Sequence, residues 1–191
     1  MFDVAVIEDP AAAAVSLDPT RARLLAELAE PNSATTLANR VGIPRQKVNY
    51  HLRTLEQHGL VELVEERRKG NVTERLLQAT ASSYVISPVA LAAVAPDPDR
   101  APDRLSARWL LALGSRLVRD VGALLTGAGK AKKRVATFAL DGEIRFASPA
   151  ERAAFAEELG QAVTALVGKY HSAEGGRPHR ILVAVHPKVE A

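Results

Sequence analysis

The chain has 191 residues, of which 47% are hydrophobic and 25% charged, and its formal net charge is +3 at pH 7. This length allows one large domain or two small ones, each able to bury a core. The absence of cysteine excludes disulfide bonds, thiolate metal sites and cysteine nucleophiles. No apolar run approaches the roughly 18–20 residues needed to cross a membrane, and the acidic start lacks the basic region of a secretory signal. We therefore expect a cytoplasmic protein with no membrane partner.

Basic side chains are unevenly distributed along the chain. Residues 1–39 contain two basic and six acidic residues, whereas residues 40–75 contain eight basic and five acidic residues. The second segment holds two short basic clusters: Arg45, Lys47 and Arg53, with no acidic residue between them, and residues 67–69. Two focused clusters on an otherwise balanced segment favour contact with a polyanion over diffuse charge attraction.

The first predicted elements are a short strand or arm over residues 1–9 and an Ala-rich helix over residues 10–16. Asp18 and Pro19 have the side chains expected of a helix N-cap and first turn. They predict a third element, a helix that Pro31 closes.

Two more short helices are predicted next. Ser33 is the expected N-cap of the first of them, and Gly42 is its expected end. The second is predicted from Pro44 to about His58, where Gly59 ends it.

The helix after Pro44 has two different faces. Apolar residues at i, i+4 and i+7 are expected to face the core: Val48, Leu52 and Leu55. Polar side chains remain on or near the solvent side, with Lys47 at the edge: Arg45, Gln46, Asn49, Tyr50 and Arg53. Arg, Asn and Gln form bidentate hydrogen bonds with guanine and adenine edges in the major groove. The pattern predicts a helix that recognises double-stranded DNA.

A β-hairpin with a basic tip is predicted after this helix, with strands over residues 60–66 and 72–80. The tip residues are Arg67, Arg68, Lys69, Gly70 and Asn71. A basic tip on a stiff ribbon can reach phosphates or the minor groove. A charge run alone is usually a solvated face, but its position after three helices favours DNA binding.

Residues 95–103, with three prolines, are the predicted linker. The linker divides a DNA-binding domain, residues 1–94, from a second part, residues 104–191. That part begins with an apolar helix whose side chains recur every four residues: Leu105, Trp109, Leu113, Leu117 and Val121. Because the apolar surface of this helix covers more than one face, we expect it to pack on two sides, one against a second copy and the other against the C-terminal β-hairpin of its own chain.

A small ββαβ unit is predicted at the C-terminus. Asp141 and Gly142 form a two-residue hairpin signal between apolar segments, and Ser148 with Glu151 forms a capping box that opens a helix. Residues 180–185 are the predicted last strand. The predicted fold class is α+β: an N-terminal winged helix-turn-helix, a long dimerisation helix and this C-terminal unit.

The aromatic residues of the second half have two interpretations. They can line a pocket for a small apolar effector or simply form core, which is the commoner fate of such residues: Trp109, Phe138, Phe146 and Phe155. The sequence leaves both interpretations open.

The sequence predicts neither a metal site, nor a cofactor, nor an enzyme. His51 and His58 on one helix would be about 10 Å apart along its axis, too far to share an ion. The GAGK segment at residues 127–130 lacks the spacing of a phosphate-binding loop, and the pair Glu157 and Glu158 fits an exposed helix face.

Residues 17–88 resemble the winged-helix domain of ArsR-like regulators in the run VNYHLRTLEQHGLV, the basic hairpin and the ending T-x-x-x-Y-x-x-S-P. The C-terminal part is more loosely similar to actinobacterial members. The resemblance implies a homodimer on a palindromic operator, usually a repressor released by an effector. It also implies DNA contacts from the helix residues and the hairpin tip named above.

Metal-sensing members of that family bind their ligand through cysteines, or through His and carboxylates on the terminal helix. This chain has no cysteine, and Asp120 is the one acidic residue among residues 105–125. We therefore expect an effector other than a metal. The alternative hypothesis is a winged-helix protein-interaction module without sequence-specific DNA recognition; the intact set of polar helix residues favours the DNA-binding regulator.

Overall fold

The computed structural model describes residues 1–69, 72–100, 103, 106–131, 133–172 and 174–189, with the backbone alone of Lys69 and Val72. The chain forms two compact units, Met1–Ala136 and Thr137–Ala191. Gly70, Asn71 and Leu105, which the sequence assigns to the hairpin tip and the dimer interface, lie outside the described residues.

The first unit starts with a strand and four short helices: β1 (Phe2–Ile7), α1 (Pro10–Ser16), α2 (Pro19–Glu27), α3 (Ala34–Val41) and α4 (Arg45–Gln57). The predicted start of α2 and the predicted start and end of α3 are confirmed, whereas α2 ends at Glu27, before the Pro31 that was expected to close it. Asp18 accepts a hydrogen bond from the backbone N–H of Arg21 at 2.9 Å, and Ser33 Oγ accepts one from Thr36 at 3.3 Å. Gly42 ends α3 in the left-handed conformation with φ 70°, which glycine adopts without strain.

An antiparallel sheet follows these helices, with strand order β2-β4-β3. Its strands are β2 (Asn32–Ser33), β3 (Val61–Lys69) and β4 (Val72–Ala79). The predicted hairpin is therefore confirmed, with one difference: β3 continues to Lys69, so Arg67, Arg68 and Lys69, which were predicted to form the tip, belong to the strand. The register shifts between Leu63 and Glu65, so Val64 is an extra residue in β3 and forms a β-bulge.

A strand that the sequence analysis left unassigned, β5 (Ala81–Ile86), follows directly on β4. It pairs in parallel with β1, from Phe2 opposite Ala81 to Ile7 opposite Ile86. This pairing ties the start of the chain to the end of the hairpin segment.

The core of the first unit lies between the helices and the β2-β4-β3 sheet. Its largest fully buried apolar side chains are Leu24, Leu28, Leu37, Val48, Leu52 and Leu55. The last three are the inner face predicted for α4, and that prediction is confirmed. Burial of each such side chain stabilises the fold by about 1.5–3 kcal/mol.

The long helix α5 (Ala107–Ala131) belongs to the first unit and packs against β1. Arg116 anchors it, because its Nη2 lies 2.7 Å from Asp99 Oδ2 and 3.7 Å from Asp97 Oδ1. Both aspartates belong to the predicted linker, whose described part therefore packs against α5. The division of the chain into domains at residues 95–103 stays a prediction.

The second unit contains helix α6 (Pro149–Tyr170). The predicted capping box is confirmed in part: Ser148 Oγ accepts from the N–H of Glu151 at 3.1 Å, whereas Glu151 Oε2 accepts from Ala147, not Ser148, at 2.9 Å. No strand is assigned to the described residues on either side of α6, so the predicted ββαβ arrangement is not confirmed. Lys188 Nζ lies 2.7 Å from Glu143 Oε2, which joins the two flanking segments at one point.

None of the described helices has both the length and the apolar character that a membrane span needs.

Candidate nucleic-acid interface

Helix α4 is fixed by its inner face and presents its outer face to solvent. Val48, Leu52 and Leu55 are at most 2% exposed, and this anchoring sets the rotation of the helix about its axis. The left-handed turn at Gly42 lets the chain reverse between α3 and α4. The outer side chains of α4 therefore have a defined direction.

The predicted recognition residues lie on this outer face. Five of the six are exposed and Asn49 is half-buried; the exposed ones are Arg45, Gln46, Lys47, Tyr50 and Arg53. Tyr50 is 68% exposed and packs edge-on against His51, with ring centroids 5.4 Å apart. The predicted side chains thus lie around the solvent side of α4, spread from Arg45 to Lys47 and not gathered on one surface.

A groove of about 220 Å³ lies between α4 and the hairpin. One wall is formed by the side chains that recur every four residues along α4: Arg45, Asn49 and Arg53. The start of α3 and strand β4 complete it: Ser33, Ala34, Thr35, Thr73, Glu74, Arg75 and Leu77. Thr35, Thr73 and Arg75 were not among the residues predicted to contact DNA. Period-two alternation, which places Thr73 and Arg75 on the same face of β4 as buried Leu77, was the available signal.

Arg75 of β4 bonds to Glu56 in the last turn of α4. Its Nη2 donates to Glu56 Oε1 at 2.6 Å and its Nη1 to Oε2 at 3.3 Å. Its Nε also lies 3.8 Å from Glu66 Oε1, the residue opposite it in β3. The hydrogen bond with Glu56 is the main reason why the pKa of Arg75 is above its ordinary value.

Arg67 and Arg68, adjacent in β3, have different surroundings. Arg67 forms two hydrogen bonds with Glu65, both 2.8 Å long, which raise the pKa of Arg67 and lower that of Glu65. Arg68 is exposed and opposite Thr73, so strand alternation places it on the side of the hairpin that faces α4. The basic tip predicted as one cluster is therefore divided between the two faces of the hairpin.

The predicted dimer residues on α5 differ in exposure. Leu117 is 46% exposed, whereas Trp109, Leu113 and Val121 are half-buried. The interface stays a prediction.

In the second unit, Phe146 and Phe155 pack together with ring centroids 5.3 Å apart, and Phe138 is 85% exposed. Trp109 belongs to α5 of the first unit. The predicted effector pocket is not tested by these contacts. Within the described ranges, no group of three or more His, Asp or Glu side chains has an arrangement that could hold a metal ion.

Residues 17–64 match the family model of a helix-turn-helix domain. The match covers α2, α3, α4 and the first residues of β3. A search of curated proteins finds no match to the chain. The chain therefore contains an N-terminal helix-turn-helix domain, which suggests DNA binding and regulation of transcription.

Proposed function

We propose that this protein is a sequence-specific regulator of transcription, of the winged helix-turn-helix type resembling ArsR-like proteins. In the proposed complex, α4 enters the major groove and the β3–β4 hairpin acts as the wing beside it. The observation that carries the proposal is the two-faced α4: its apolar face is held in the core, while side chains suited to base edges point outwards.

The geometry of the outer face suits a duplex. The stretch from Arg45 to Arg53 extends about 12 Å along the helix, roughly the width of the major groove. Arg45, Asn49 and Arg53 share one wall of the groove beside the hairpin. A base-contacting helix and a basic ribbon on the same side of the domain can bind adjacent parts of one DNA site.

The proposed active form is a homodimer that pairs through α5. Large apolar side chains remain exposed on this helix in the single chain: Leu111, Leu117, Val118, Leu124 and Leu125. Leu111, Val118 and Leu125 recur every seven residues, as do Leu117 and Leu124, and such spacing is typical of helices that pair along their length. A two-fold dimer would set two α4 helices about 34 Å apart, matching a palindromic operator.

The proposed mode of action is repression that an effector other than a metal relieves. The resemblance of residues 17–88 to ArsR-like regulators supports repression, and the lack of cysteine argues against their thiolate metal sites. The proposed contacts on each DNA half-site come from α4 and from the hairpin face that carries Arg68.

The experiment that tests this function is selection of binding sites from a pool of random-sequence duplexes, using the full chain. Enrichment of an inverted repeat, with half-site centres about 10 base pairs apart, is the expected result. A pool that stays random through successive rounds, while the protein forms defined complexes with other proteins, would support the protein-interaction module instead.

A further inference from the structure

The outer half of the hairpin has few contacts that fix its direction. Every described side chain from Glu62 to Arg68 is exposed, and Thr73 on the opposite strand is exposed as well. The buried anchors of the hairpin lie near its base: Val61, Leu77 and Ala79, which are 2%, 3% and 1% exposed. A two-stranded ribbon without a packed face is free to bend and twist unless a further contact holds it.

The Arg75–Glu56 ion pair supplies such a contact in the middle of strand β4. It joins β4 to the last turn of α4 by two hydrogen bonds, and Glu66 holds the same guanidinium from the neighbouring strand. The planar fork of arginine fixes direction as well as distance when it binds a carboxylate through two bonds. The bridge therefore links the hairpin to the helix at a set angle.

We propose that Arg75 and Glu56 are positioning residues, which hold the hairpin at the angle that lets Arg68 contact DNA in register with α4. This inference rests on the proposed function and adds that one ion pair sets the position of the hairpin relative to α4 in the DNA-binding site. Arg68 lies seven residues before Arg75 in the chain and on the same face of the hairpin, so rotation of the hairpin at Arg75 displaces Arg68 along the duplex.

A positioning role is separable from a stabilising one. Arg75 and Glu56 are 41% and 32% exposed, and ion pairs this accessible to water contribute little to folding stability. Loss of the bridge should therefore shift the melting temperature by no more than about 2–4 °C. Its effect should appear in the direction of the hairpin.

The chain offers a matched pair of variants for the test. Glu56→Gln and Glu66→Gln each remove one carboxylate partner of Arg75 and each raise the net charge by one. Only Glu56→Gln breaks the link between the hairpin and α4, because Glu66 lies within the hairpin. Because both variants lose one negative charge, the difference between their DNA affinities does not reflect a change in net charge.

Binding is measured on two operator duplexes. The long duplex includes the DNA that the hairpin would contact, and the short duplex contains only the base pairs that α4 would contact. Glu56→Gln should weaken binding to the long duplex by about 3–10-fold relative to Glu66→Gln, and should match it on the short duplex. Equal affinities of the two variants on the long duplex would overturn the proposal.

A second measurement needs no DNA, so it distinguishes this proposal from the proposed function. Because the chain contains no cysteine, Gln46→Cys and Arg68→Cys introduce two unique sites for spin labels. With labelled protein diluted in unlabelled protein, Glu56→Gln should broaden the distance distribution between α4 and the hairpin, and Glu66→Gln should leave it narrow. Identical distributions in both variants and the parent would overturn the positioning role, whatever the DNA experiments find.

Discussion

Gly122 of α5 and Val6 of β1 approach so closely that a Cβ atom added to Gly122 would lie 2.8 Å from Val6 Cγ1 and 3.2 Å from Cγ2. The contact lies where the long helix crosses the N-terminal strand, and Gly129 makes a similar approach to Phe2 farther along. The lack of a side chain at these glycines lets the backbone of α5 pack directly on the side chains of Val6 and Phe2. The absence of a side chain at Gly122 is therefore a packing requirement.

Gly122→Ala should destabilise the protein despite the better helix propensity of alanine. Overpacking against Val6 lowers the free energy of unfolding by about 1–3 kcal/mol, whereas the better helix propensity of alanine raises it by only about 1 kcal/mol. The matched control is Gly127→Ala, in the same helix, where an added Cβ meets nothing within 4 Å. Chemical denaturation should give a lower free energy of unfolding for Gly122→Ala and a raised one for Gly127→Ala; equal changes would contradict the packing argument.

Asp18 should stabilise the start of α2 in a pH-dependent manner. The hydrogen bond from the Arg21 N–H is the main reason why the pKa of Asp18 lies below its ordinary value of 3.8. Its contribution is thus fully present above the unfolded-state pKa and is lost as the pH falls through the lower folded-state value. Asp18→Ala should cost about 0.5–2 kcal/mol at neutral pH.

Asp18→Asn separates the charge of this cap from its geometry. Asparagine caps helices about as well as aspartate, so stability near pH 7 should change little. Thermal unfolding followed from neutral to acid pH should show a smaller acid loss in Asp18→Asn than in the parent. If the melting temperatures of the two proteins fell equally with pH, Asp18 would have the same pKa in the folded and the unfolded state.

Local signals in the sequence predict the helices of the first unit well. The caps at Asp18 and Ser33 and the end at Gly42 depend on side chains within a few residues of the helix termini. The α4 face follows from the same local periodicity. These features need no knowledge of distant parts of the chain.

Features that depend on distant pairing could not be predicted in the same way. The parallel pairing of β1 with β5 joins two strands that are far apart in the sequence, because four helices and the hairpin lie between them. Which of Arg67 and Arg68 faces α4 depends on the strand register after the bulge at Val64. The alternating apolar residues around Phe138 and Val183 favour strands, yet alternation alone does not supply the neighbouring strands that such segments need.

Arg68 and Arg67 should differ in their contribution to DNA binding although they are adjacent. Arg68→Ala should weaken binding across all sequences and lower the salt slope by about one unit. Arg67→Ala should have a smaller effect, because the guanidinium of Arg67 is held by Glu65 on the other face of the hairpin. Affinities measured over a range of salt concentrations test this order, and a larger loss from Arg67→Ala would contradict the assignment of faces.

Leu117 should contribute to self-association through α5. Leu117→Lys places a charge within the exposed apolar face and should shift the protein from dimer to monomer at micromolar concentration in sedimentation experiments. Ala123→Lys adds the same charge at an exposed position outside that apolar set and should leave the dimer intact. Dissociation by both variants, or by neither, would place the interface elsewhere.

If the outer face of α4 distinguishes DNA sequences, the protein must bind its operator more tightly than random duplex, and the side chains of α4 must set this affinity ratio. Fluorescence anisotropy of the full chain on a selected operator and on random duplex, at near-physiological salt, gives that ratio for the parent and for Arg53→Ala. The parent should bind the operator at least about 10³-fold more tightly than random duplex, and this ratio should fall by about 5–100-fold in Arg53→Ala. Equal affinity for both duplexes in the parent, or equal loss on both in Arg53→Ala, would contradict this expectation.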